Sequence, residues 1–323
     1  MSNKMSTRDL TEGALMALIA LALLVGSYFL PFIGFVLMFA VGVPLSILTV
    51  RRSWSVALIA SIAAALLTML LFGPVSGVRF VIMYIPLALV VGMMLSHRRG
   101  AGKTLLAAII IGALSVTLLL IVGAGVAGFS GDMLMSEYNR LIDEMVLMYK
   151  NMGVLEQMGL TEEALKQSAQ GMLVLLPAML AIMGGVLGVV HFFLTRATMR
   201  KLRLKIPRMP RFDQWFLPSV AIWGFIAAWA LWLLADFANL AWLNTLTVNV
   251  LVIYGALFFC TGLSVLAHFM RFNQMSSGMK VMVAVFAFFF ISGVLILAVL
   301  AGLLDLIFDF RKLRKVQAQP RKE

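Results

Sequence analysis

From Gly13 to Val50 the chain carries no charged residue, and Pro31 and Gly34 break the run in two. A helix needs about 20 consecutive apolar residues to cross a bilayer. Runs of that kind recur through the 323 residues, which are 62% hydrophobic and 12% charged, where a soluble domain carries about 25% charged residues. The chain is therefore expected to be all-α, a polytopic transmembrane helical bundle. A membrane β-barrel is excluded, because its strands alternate over about 10 residues and these runs are continuously apolar. The net charge of +12 would suit a nucleic-acid partner in a soluble protein. In a membrane protein it reads as the Lys and Arg excess of cytoplasmic loops.

Nine apolar segments are predicted, over residues 13–30, 33–50, 55–71, 80–96, 104–126, 171–195, 215–234, 247–269 and 282–308. The opening is read as a retained span, since Asp9 and Glu12 interrupt the basic region a cleaved signal would need. With the N-terminus inside, the even-numbered linkers are cytoplasmic. They hold Arg51 and Arg52, then Arg98, Arg99 and Lys103, then seven basic residues from Arg196 to Arg211, then Arg271 and Lys280. The 129–170 loop falls outside, with seven acids against three bases. The tail breaks this rule, because nine simple spans would put Arg311, Lys312, Arg314, Lys315, Arg321 and Lys322 outside. Three repairs are open. Residues 282–308 bend near Ser292-Gly293 and return, or the first two segments form one broken unit around Pro31, or the tail lies outside. The first gives a cytoplasmic tail and about eight effective spans. The organisation read from this pattern is 1–128 for membrane segments one to five and 129–170 for an outer helical insertion. The remaining membrane segments occupy 171–310 and a basic tail occupies 311–323.

The insertion has its own pattern. Leu134, Tyr138, Leu141, Met145 and Met148 recur at helical spacing, and Thr161 is placed to cap a second helix that opens with Glu162 and Glu163. Cys260 is the single cysteine and sits in an apolar run, so no intrachain disulfide forms. His97, His191 and His268 fall near the cytoplasmic ends of their segments. No hydrolase, metalloprotease, dithiol or nucleotide-binding motif is present, so no catalytic residue, metal ligand or cofactor is expected. Arg79, Asn249 and Tyr254 are the polar residues placed to line a cavity.

Two features stand apart. Gly13, Ala14, Ala17 and Ala20 give the first segment a low-relief face, which packs closely inside the bundle or docks a partner. Ala57, Ala60, Ala63 and Ala64 repeat the theme in the third. Asp305 and Asp309, four residues apart, are placed on one helix face, with Arg311 just beyond. They read as an anchor that pins the helix end or meets a partner.

The opening "LTEGALMALIALALL", the following "LPFIGF", and "GLSVLAHFMR" with the terminal "GLLDLIFDFRKLRK" resemble the DUF2232, or YybS-like, family of bacterial integral membrane proteins. The terminal signature falls on Gly302, Leu303, Asp305, Phe308, Asp309, Phe310 and Arg311. That family is distantly similar to the substrate-binding subunits of energy-coupling-factor transporters. The resemblance implies a small-molecule substrate taken from outside. It also implies a transmembrane coupling protein with separate ATPase subunits, docked at Gly13, Ala14 and Ala17. This chain differs in its extra segments, outer insertion and basic tail. A scaffold that recruits a partner through basic cytoplasmic segments is the competing reading. Membrane lipids are expected neighbours in either case, and nucleic acid is not.

Overall fold

Ser6 accepts the backbone N–H of Asp9, and the Asp9 carboxylate accepts the N–H of Ser6 in return, so the first helix starts at a reciprocal cap. The computed structural model describes residues 6–126, 128 and 130–311, and among them every regular element is helical. The chain divides into two compact units, Met1–Met209 and Pro210–Glu323.

The first unit begins with α1 (Thr7–Phe29). The second span is split into α2 (Ile33–Ala40) and α3 (Val43–Arg51). Pro44, in the first turn of α3, has no N–H to carry the helix through, so the ladder breaks at Val41 and Gly42. Glu12 meets Arg51 and Arg52 at 2.6 Å each, and Asp9 meets Arg52 at 3.4 Å. These pairs set the start of α1 beside the end of α3. The first two segments therefore run out and back as two passes, rather than as one unit broken at Pro31. α4 (Trp54–Phe72), capped by Ser53, α5 (Pro74–Ser96) and α6 (Ala101–Val126) follow.

The insertion forms α7 (Gly131–Asn151), α8 (Val154–Met158) and α9 (Glu162–Val174). The Thr161 cap is present as expected, its hydroxyl accepting from the Ala164 N–H. Ile142, Val146 and Ala169 form a small buried cluster, with Tyr138, Met145 and Leu165 packed against it. α10 (Leu176–Lys201) starts five residues later than the pattern predicted and runs six residues further, because α9 ends at Val174 and Pro177 suits a new first turn. It packs closely on α6. A methyl group on Gly188 would lie 2.0 Å from the carbonyl oxygen of Ala108, so only glycine permits that approach.

The second unit opens with a 3-10 turn (Phe212–Gln214), followed by α11 (Ala221–Phe237) and α12 (Ala241–Phe272). The seventh segment therefore starts at Ala221, not at residue 215, since Trp215 closes the 3-10 turn and residues 216–220 are not helical. The last apolar stretch is two helices, α13 (Ser277–Phe289) and α14 (Ile291–Phe308), broken at Phe290, just before the expected Ser292-Gly293 bend. Arg271 of α12 and Arg311 after α14 both contact Asp213, so α12 and α14 finish at the same end of this unit. The tail beyond Arg311, with Lys312, Arg314, Lys315, Arg321 and Lys322, lies outside the described residues.

Among the described residues, eight helical stretches are long and apolar enough to span a membrane, with α2 and α3 counted together. The set differs from a simple reading of the apolar runs. It includes α14 and leaves α11 and α13 as shorter apolar helices.

Candidate functional site

The terminal signature builds a buried polar node in the second unit. Gly302 and Gly262 let α14 and α12 touch, since added methyl groups would sit 2.1 Å from the Phe258 carbonyl and 1.8 Å from that of Ala298. That contact sets Asp305 beside Ser264. Asp309 is left-handed (φ 47°, ψ 50°), and its N–H caps the Asp305 carbonyl at 2.9 Å. The helix thus stops at Phe308, and Asp305 and Asp309 do not share a face. The turn aims Arg311 inward. Its Nε lies 3.3 Å from both Asp305 oxygens, and Nη2 lies 2.8 Å from Oδ2. Nη1 donates to Ser264 Oγ at 2.7 Å and to the Asp213 carbonyl at 3.1 Å, while Nη2 donates to the Trp215 carbonyl at 2.8 Å. All five guanidinium donors are used. The two side chains are 0% and 5% exposed. A charge pair satisfied in this way clamps residues 213–215 to α12 and α14; it has no free carboxylate for acid–base work. Phe310 stays outside the node, exposed and stacked on Phe308.

A second buried node lies in the first unit, at the break between α2 and α3. His191 of α10 is 1% exposed. Its Nε2 is 2.9 Å from Ser46 Oγ, which donates to the Ala88 carbonyl at 3.0 Å. The ring also hydrogen-bonds the Phe39 backbone carbonyl at the end of α2. Gly42 makes room for it, as a methyl group there would meet the ring at 2.9 Å. Backbone freed by a broken helix in a membrane must find partners inside the protein, and His191 supplies one. These bonds tie α10 to the broken second span. The interfacial position read from sequence is overturned for His191. α10 continues to Lys201, which puts the ring about 15 Å from the helix end. His97 does lie exposed at the end of α5, and His268 stacks near Phe272.

The other candidates disperse. Gly13, Ala17 and Ala20 are buried, with Gly13 facing Val56 and Ala60 of α4, while Ala14 is exposed. The low-relief faces of α1 and α4 therefore meet each other. Arg79 sits in the first unit with its guanidinium 6.0 Å over the Tyr28 ring. In the second unit, Asn249 donates to the Thr245 carbonyl at 2.7 Å, and Tyr254 packs between the Phe225 and Phe258 rings. None of these three lines either cleft described next. The first unit has an open apolar cleft of about 410 Å³ between α6 and α10, lined by Leu119, Leu120, Gly123, Leu180 and Met183, with Leu134 of α7 beside it. The second unit has a basic depression of about 320 Å³. No group of three or more metal-ligating side chains occurs among the described residues.

These features define a multi-pass helical membrane protein, with a polar node in each unit and no conventional catalytic cluster among the described residues. Residues 17–306 match the family described as predicted membrane protein (DUF2232), so the chain belongs to that family. No curated protein and no solved structure matches the chain.

Proposed function

We propose that the protein is a substrate-capturing subunit of a transport system in a bacterial cytoplasmic membrane. It would work in the manner of the energy-coupling-factor substrate subunits that its family resembles. The observation that carries this reading is the cleft between α6 and α10, with the amphipathic insertion beside its outer end. Its lining is almost wholly apolar, so the substrate class it fits is an apolar or amphipathic small molecule rather than a charged one. The broken second span with His191 against it supports the same reading, because discontinuous helices in transporters mark the sites around which they work.

The chain has no nucleotide-binding motif, so energy would come from separate ATPase subunits through a transmembrane coupling protein. With Gly13 against α4 and Ala17 and Ala20 buried, the surface α1 offers such a partner is its outward side, at Ala14, Leu15 and Leu18. The charge pattern supports a cytoplasmic N-terminus. Purification from native membranes in mild detergent, followed by mass spectrometry of what comes with it, tests the proposal. A coupling protein with ATPases in near-stoichiometric amounts is the expected result. A soluble or envelope protein as the only stoichiometric companion would replace it with the scaffold reading.

A further inference from the structure

The basic depression in the second unit adjoins the Arg311 node through Asp213 and is distinct from the apolar cleft. It is lined by Arg211, Phe212, Asp213, Met270, Arg271 and Lys280. Asp213 organises it. The carboxylate is 10% exposed and holds Arg211 Nε at 3.3 Å and Arg271 Nη1 at 3.2 Å. Its backbone is fixed from behind, where the carbonyl accepts from Arg311. One carboxylate cannot neutralise two guanidinium groups. Arg211 and Arg271 are 57% and 52% exposed, so donors remain free toward the depression. Lys280 adds a third positive charge and has no acidic partner among the described residues.

The apolar surroundings select among anions. Lys280 lies in the first turn of α13, a helix in which no residue is buried. Val281, Met282, Val285 and Phe286 are all exposed along it. A small soluble anion would use the charges and leave this helix bare. A molecule with a phosphate at one end and hydrocarbon at the other would use both.

We propose that the depression binds the headgroup of an anionic phospholipid, with its phosphate among Arg211, Arg271 and Lys280 and its acyl chains along α13. A zwitterionic lipid brings an ammonium group into the same positive field and binds less well. The geometry is preorganised, because Asp213 holds both arginines before the lipid arrives.

The test uses the full chain, delipidated in mild detergent and titrated with phosphatidylglycerol or phosphatidylcholine while native mass spectrometry counts bound lipid. Phosphatidylglycerol is expected to bind at one per chain in clear preference to phosphatidylcholine. Lys280→Gln and Arg211→Gln are each expected to weaken it about fivefold, the effect of one charge near an anionic surface. Lys150→Gln, on α7, is expected to leave it unchanged. Elution volume and melting temperature show that each variant is folded. Soluble glycerol phosphate separates the sources of the headgroup chemistry, and it is expected not to displace the lipid at equal concentration. Equal binding of the two lipids would overturn the proposal. So would displacement by glycerol phosphate, full retention in both depression variants, or an equal loss in Lys150→Gln.

Discussion

Arg311 gathers five donors onto Asp305, Ser264 and the backbone of residues 213 and 215 with almost no exposure, and the cost of such a pair falls on whichever partner is left alone. Removing one member of a buried pair costs roughly 3–5 kcal/mol, whereas replacing both by apolar groups is often close to neutral. Arg311→Ala should therefore lower the melting temperature of the detergent-solubilised protein sharply, and Asp305→Ala should do likewise. The double variant Asp305→Leu with Arg311→Leu should recover part of the loss, though the carbonyls of Asp213 and Trp215 stay unpaired. Equal, additive losses would show that the two side chains act independently. In the sequence, Asp305 and Arg311 were visible as an acid and a base near a helix end. Their pairing was not, because six residues apart they are not helical neighbours. Only the left-handed Asp309 turns one back onto the other. His191 was misjudged for a related reason: its depth depends on where α10 ends, and the apolar pattern stops before the helix does.

At the scale of elements, apolar length and caps were legible, and breaks were legible only in part. The interruption of the last stretch was expected because the tail's charge demanded it, and it lies at Phe290. The interruption of the second span at Val41 and Gly42 was not, because Pro44 near a helix start and Pro44 within a continuous helix look alike without the tertiary partner, His191. The insertion shows which kind of contact holds a surface element. α9 is tied to α7 by the Lys150–Glu162 and Lys166–Asp143 pairs, by Tyr138 donating to the Ala169 carbonyl at 2.5 Å, and by the Ile142 cluster. The hydrogen bond and charge of Lys150 hold the Glu162 carboxyl below its usual range, and Glu162 raises Lys150 in the same way. A lowered carboxylate contributes above its unfolded value and loses that contribution as the pH falls through the folded one. The pair is therefore intact near neutrality and fades in acid. Both side chains reach solvent, which weakens the pair, so the buried apolar cluster should contribute more. Ile142→Ala should cost about 2 kcal/mol locally and speed hydrogen exchange across α7 and α9. Lys150→Ala, or acidification alone, should change exchange much less. The reverse order would make the insertion an electrostatic clasp.

At the scale of the whole molecule, the account joins three statements. The chain is a multi-pass helical protein of the DUF2232 family, its last two helices return to the end where α12 finishes, and we propose that its apolar cleft captures a substrate. The return is checked with impermeant thiol labelling after Cys260→Ser removes the single native cysteine. Gln274→Cys and Phe310→Cys should label from the same side of sealed vesicles, and Asn239→Cys from the other. Labelling of Gln274→Cys and Phe310→Cys from opposite sides would make α13 and α14 one continuous span. The capture of a substrate is the central claim, and the cleft offers a direct handle on it. A methyl group on Gly123 meets nothing within 4 Å, so Gly123→Phe can fill the cleft without straining α6. Native mass spectrometry of gently purified wild type and Gly123→Phe compares what each carries. A single apolar or amphipathic molecule bound to the wild type and lost from a folded Gly123→Phe protein is the predicted result. The same molecule retained by both, or a wild type that carries none after incubation with native membrane extract, would contradict it.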